Sequence, residues 1–182
     1  NQRIIDPGDG TLIWEDGDGT PHTFVASSNQ WKDTDNLGLT LTLALDSTNS
    51  GNTIYTITDK YGCKSVFASN GHLTAQINNQ ATESMITIEY TNTPAHRISL
   101  IKDGVGRQYK FVYYANGLLK QIDYYGSNEI SEHAQTNAEN IFAAIYYGYT
   151  GSALTSITYA DGLQSHFNYT SGNLLSSVTD SD

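Results

Sequence analysis

The chain has 182 residues, long enough for one domain with a substantial core, and carries 19 acids against 9 bases for a formal charge of −10. That balance argues against nucleic acid or an anionic membrane surface as a partner, because both require a basic stripe to displace counterions. No apolar run approaches the ~18 residues of a membrane-spanning helix, and the lone Cys63 permits neither an intrachain disulfide nor a cysteine-based zinc site.

Tyrosine occurs 13 times while charged residues make up only 15% of the chain, a balance that favours sheet over helix. The chain opens at Asn1 rather than at a methionine, and the expectation is that something upstream has been removed. Residues 1–53 read as leader strands. Asp6-Pro7-Gly8 is turn chemistry. Asp16-Gly17-Asp18-Gly19-Thr20 is a second turn, in which Asp16, Asp18 and Thr20 place oxygens at alternate positions as a calcium loop does. Calcium is the one cofactor this spacing brings to mind, with Asp33 and Asp35 a fainter instance. The loop lacks the bidentate glutamate of an EF-hand, so the reading chosen is a hairpin turn with no metal ligands.

From residue 54 onward a phrase recurs. Ile57-Thr58-Asp59 leads to Gly62, Ile101-Lys102-Asp103 leads to Gly106, and Ile157-Thr158-Tyr159-Ala160-Asp161 leads to Gly162. Gly19, Gly62, Gly106 and Gly162 each stand five residues before a phenylalanine, at 24, 67, 111 and 167, so four of the chain's five phenylalanines obey one rule. After the phenylalanine comes a polar turn, then leucine and a branched residue, as in Asn116-Gly117-Leu118-Leu119 to Ile122 and Ser171-Gly172-Asn173-Leu174-Leu175 to Val178. Asn70-Gly71-His72-Leu73 repeats it with Ile77 one place late. Asp or Asn followed by Gly supplies the positive φ of a tight turn.

Between the turns the alternation has period two, predicting strands at Thr53–Thr58, Met85–Tyr90, Gln108–Tyr113 and Ser165–Tyr169. Tyr109, Phe111 and Tyr113 then share one face. The expected fold is all-β, a curved antiparallel sheet of consecutive hairpins with open ends, its aromatics aligned in cross-strand ladders. Val178-Thr179-Asp180 restarts the phrase, which suggests a cut through a continuing array. Ser127 to Asn140 interrupts the rhythm, with a short helical turn expected near 129–141, and Gln80-Ala81 replaces a usual turn glycine.

Chemistry is harder to find. The five histidines form no HxxxH or HExxH, and no GxSxG elbow, P-loop or GxGxxG is present, so no catalytic residue is expected. His22 and His166, two and one residues before their phenylalanines, read as strand surface. Trp31, Tyr124, Tyr125 and Tyr146, with Trp14, Tyr147 and Tyr149, suggest a stacking platform for sugar rings. The reading preferred over it places most of these tyrosines on the inner face of the ribbon, their hydroxyls at its margin.

Taken together, the branched-x-Asp, turn-Gly, Phe-x-Tyr and Gly-x-Leu elements resemble the YD repeat of the RHS family, bacterial surface and secreted proteins that share these repeats with teneurins and toxin-complex subunits. The match is best over 54–125 and 145–182. The resemblance implies a long ribbon spiralling into a shell, which in several members encloses a C-terminal effector. It further implies an extracellular, cell-surface or wall-associated scaffold that is not an enzyme, whose partners are the rest of its own array and such an effector. Some members carry a self-cleaving Asp-Pro site after the repeats. Asp6-Pro7 lies before them, so cleavage is not carried over. The rival reading is a binding module for a glycan or a host surface protein, and the open edges of a cut array suggest an edge-strand homodimer.

Overall fold

The computed structural model describes residues 2–27, 30–46, 52–79, 85–126 and 141–181. Among them are sixteen strands and no helix: β1 (Arg3–Ile5), β2 (Thr11–Glu15), β3 (Pro21–Ser27), β4 (Gln30–Asp33), β5 (Thr40–Leu45), β6 (Thr53–Thr58), β7 (Lys64–Phe67), β8 (Leu73–Ile77), β9 (Met85–Tyr90), β10 (Ile98–Lys102), β11 (Gln108–Tyr113), β12 (Leu119–Tyr125), β13 (Ala143–Thr150), β14 (Ala153–Thr158), β15 (Gln164–Tyr169) and β16 (Leu175–Asp180). The protein is all-β. The Gln80-Ala81 pair and nearly all of the expected helical turn lie outside the described residues.

The chain divides into two compact units, Asn1–Ile88 and Glu89–Asp182. Within each, the strands follow chain order and pair antiparallel with their neighbours, leaving the sheet open. The turns explain why. At Gly19, Gly62, Gly106 and Gly162, φ lies between 85° and 90°, and each glycine N–H donates to the carbonyl three residues back, that of Asp16, Asp59, Asp103 or Tyr159. In the first three, the aspartate at that position also accepts two turn amides on Oδ1: Asp16 from Asp18 and Thr20, Asp59 from Tyr61 and Cys63, Asp103 from Val105 and Arg107. The side chain thus satisfies donors that the turn itself leaves unpaired. Asp6 closes its own turn in the same manner, accepting the Gly8 amide at 2.8 Å.

The four phenylalanines fall on β3, β7, β11 and β15, so one period of the sequence is four strands. Phe111 opposes Ile122 and Phe167 opposes Val178, the branched residues that close each phrase. The hairpin after Phe67 is shorter: Phe67 opposes Leu73, and the ladder shifts between Val66 and Phe67. Ile77 there pairs with Lys64 instead of a phenylalanine. In the turn between β15 and β16 the left-handed residue is Asn173 (φ 58°), not Gly172. Asparagine tolerates this conformation but glycine adopts it freely, so Asn173→Gly is expected to raise stability by about 0.5 kcal/mol, readable as a shifted urea midpoint.

Unit 1 has a closed core. Register places Ile4, Leu12, Trp14, Phe24, Trp31, Leu41, Tyr55, Ile57 and Phe67 on one face. Phe24, Leu41 and Phe67 are fully buried there, with Ile4, Leu12, Ile57 and Leu73 nearly so. A single open face could not hide them. The sheet curls until β1 reaches the turn between β7 and β8, where the Ile4 N–H donates to the Gly71 carbonyl at 2.9 Å. Covering one such large apolar side chain contributes about 1.5–3 kcal/mol.

Unit 2 shows the same pairing without the same enclosure. Phe111 and Phe167 are half-buried, and Tyr125 is the one hydrophobic side chain among its described residues that is buried. Its aromatics are instead pinned by hydroxyls. Tyr113 donates to the Ile98 carbonyl at 2.7 Å and Tyr169 to the Leu154 carbonyl at 2.8 Å. Both tyrosines stand two places after a repeat phenylalanine. Each reaches across to the strand paired immediately before its own.

Candidate functional site: a polar slot beside each turn

The residue three places after each turn glycine shares a strand face with the phenylalanine two places further on, because side chains on one face recur every second residue. These residues are His22, Ser65, Tyr109 and Ser165. Beside His22, Ser65 and Ser165 stands the residue three places before the glycine, Asp16, Asp59 or Tyr159. From the following strand or its end comes a third side chain: Asp35, Gln76, Tyr124 or Asp180. The repeat thus builds one slot four times and fills it differently.

The first slot is ionic. His22 is 9% exposed; its Nδ1 lies 3.0 Å from Asp35 Oδ2 and its Nε2 3.3 Å from Asp16 Oδ2, with the Trp14 ring 5.1 Å away. Burial disfavours the charged imidazole, but the hydrogen bonds and charges of Asp35 and Asp16 outweigh it, and the pKa stands above the ordinary 6.5. Asp16 is held down to about 2, first by its contact with the Asp18 side chain and then by His22 and the turn amides. Both ring nitrogens face carboxylates, so the cluster lacks the hydroxyl or thiol that Asp–His pairs activate in covalent catalysis.

Ser65, with Asp59 and Gln76, lines a cleft of 380 Å³ walled by Trp14, Leu39 and Ile86. Tyr109 packs at 5.3 Å on Tyr124, which meets Phe142 edge-on at 5.7 Å, and the two tyrosines line a second cleft of 420 Å³ with Tyr159 and Asp161. Ser165 is buried, donating to Asp180 Oδ1 at 2.5 Å and meeting the Tyr159 hydroxyl at 3.1 Å.

The chain matches no family model and no curated protein sequence.

The residues singled out from sequence disperse. Trp31 is half-buried against the core of unit 1. Tyr124 and Tyr125 are consecutive in β12 and therefore face opposite sides of the sheet: Tyr124 lines the aromatic cleft, whereas Tyr125 is buried on the other face near Asp123. Tyr146, 46% exposed, shares the face of Tyr125 but lies opposite Gln121, two ladder steps away. The expectation that His22 sits on the strand surface is corrected: His166 is exposed, but His22 points inward. One residue of offset reverses the face. The signal was the even spacing of His22 from Phe24 and the odd spacing of His166 from Phe167.

In the Asp16 turn the oxygens that suggested calcium are engaged by the turn. Asp16 Oδ1 accepts two amides, and Asp18 Oδ1 accepts the Thr20 amide and hydroxyl at 2.9 and 2.6 Å. Among the described residues, no group of three or more His, Cys, Asp or Glu is placed to hold a metal ion, and no helix is long and apolar enough to cross a membrane.

Proposed function

We propose that this chain is a structural, non-enzymatic segment of an extracellular hairpin-repeat scaffold, a stretch of shell or stalk of the kind its RHS/YD resemblance implies. The observation that carries the reading is the repetition of one turn. Gly19, Gly62, Gly106 and Gly162 share a conformation, a hydrogen bond and a following phenylalanine on every fourth strand. Such regularity serves lateral stacking, in which each hairpin is stabilised by its neighbours. Within this reading its partners are further hairpins of its own array and an enclosed effector. Leu175 and Val178, exposed on β16, mark an edge where a further strand or a second copy would pair.

A glycan-binding module is the second reading, and the cleft lined by Tyr109, Tyr124, Tyr159 and Asp161 is the observation that favours it, since aromatic faces stack on sugar rings. A glycan array with the intact protein separates the two. The scaffold reading expects no saturable binding. Saturable binding that disappears in Tyr124→Ala, with the circular dichroism spectrum unchanged, overturns it.

A further inference from the structure

The first slot differs from the other three in holding an imidazole between two carboxylates, one from each side. Asp16 belongs to the turn between β2 and β3. Asp35 lies beyond the end of β4, on the segment leading to β5. Chain geometry alone does not join these segments; His22 does, with Nδ1 toward Asp35 and Nε2 toward Asp16.

A neutral imidazole carries one N–H and one lone pair. It can donate to only one of two facing carboxylates, and its lone pair then opposes the other. The imidazolium donates to both, so this arrangement is complete only when His22 is protonated. We propose that Asp16, His22 and Asp35 form a proton-operated latch that ties the segment after β4 to the turn between β2 and β3 in its protonated state and releases one side when the proton leaves.

The surrounding charges agree. From the turn, Asp16 faces the ring, and the Asp18 side chain lies against Asp16 and Thr20; from the end of β4 come Asp33 and Asp35. Asp33 is occupied locally, accepting the Leu37 and Leu39 amides at 3.0 and 2.6 Å, and so holds the segment in the shape that presents Asp35. The nearest cations in register lie on the opposite face: Arg3 pairs with Glu15 at 2.6 Å, and Lys32 is exposed opposite Val25. Among the described residues, no lysine or arginine forms an ion pair with Asp16 or Asp35. Trp14 packs against the ring, tilted at 34° with centroids 5.1 Å apart.

The sign follows from linkage. A histidine whose folded pKa is raised contributes stability that is fully present below its unfolded value near 6.5 and is lost as pH rises through the folded value. Asp16 remains ionised down to about 2, so over most of the acid range the latch keeps this anionic side. Deprotonation leaves the segment after β4 attached by Asp33 and by the Thr34 N–H, which donates to Thr23 at 2.9 Å. The expected motion is therefore local.

Long-range proton–nitrogen NMR of the intact protein, with imidazole nitrogens followed against pH, is the test. The expected result is that both His22 nitrogens show imidazolium shifts at pH 6.5 and titrate together with a midpoint above 6.5. Asp35→Asn should lower the His22 midpoint relative to the parent. A His22 ring that is a single neutral tautomer at pH 6.5, or a midpoint unmoved by Asp35→Asn, overturns the latch. If Asp35→Asn does not fold, the parent titration decides alone.

Discussion

Gly71→Ala is expected to destabilise unit 1 by about 3 kcal/mol, about twice the loss from the same change at Gly162. Both glycines have positive φ, 81° and 88°, and alanine at either meets a backbone penalty of about 1–2 kcal/mol. They differ in what a methyl group would touch. At Gly162 there is nothing within 4 Å, whereas at Gly71 the new carbon would stand 2.0 Å from the Ile4 carbonyl oxygen. Backbone cannot yield to that contact without separating β1 from the turn between β7 and β8. Separation breaks the Ile4 N–H bond to Gly71 and opens the rim of the core at Ile4. Urea unfolding followed by tryptophan fluorescence reads unit 1, since Trp14 and Trp31 are the chain's two tryptophans and both lie in it, and far-ultraviolet circular dichroism of the same titrations reads the loss at Gly162 in unit 2. Equal losses at the two glycines would show that the closing contact contributes nothing.

The second large effect separates two phenylalanines that the sequence makes equivalent. Phe67→Ala should cost about 3–5 kcal/mol, the range for truncating a fully enclosed aromatic, and Phe167→Ala about half of that or less. Phe67 is 0% exposed, set opposite Tyr55 and Leu73. Phe167 is only half-buried, opposite the 51%-exposed Val178. Truncation at 67 leaves a cavity inside a rolled sheet; truncation at 167 leaves a dent that water fills. Thermal unfolding of the two variants provides the comparison, and similar losses would mean that unit 2 buries its aromatics as completely as unit 1.

The hairpins were legible because turn chemistry is local. An aspartate three places before a glycine specifies its own hydrogen bonds, and period-two alternation specifies which residues share a face. The same rule, applied strictly, would have placed His22 inward with Phe24 and set Tyr124 and Tyr125 on opposite faces. What no local pattern carries is the difference between the units. Phe24 and Phe67 are enclosed because Ile4 meets Gly71, a contact between residues far apart in the chain, and nothing around Phe111 or Phe167 in the sequence announces that no equivalent contact exists among the described residues of unit 2. Asp35 reaching His22 is a case of the same kind, since it depends on how the Asp33 carboxylate shapes the segment beyond β4.

Pairing between chain neighbours has a bearing on how such a protein can change in length. β12 and β13 keep their register, from Tyr124 opposite Ala143 to Gln121 opposite Tyr146, although more than a dozen residues separate the two strands. A ladder that joins only successive strands treats whatever lies between them as a loop, whose closure entropy grows slowly with size. Outside unit 1, where the Ile4–Gly71 contact ties β1 to the turn between β7 and β8, a hairpin can therefore be enlarged without rethreading the remainder, each other rung staying where it was.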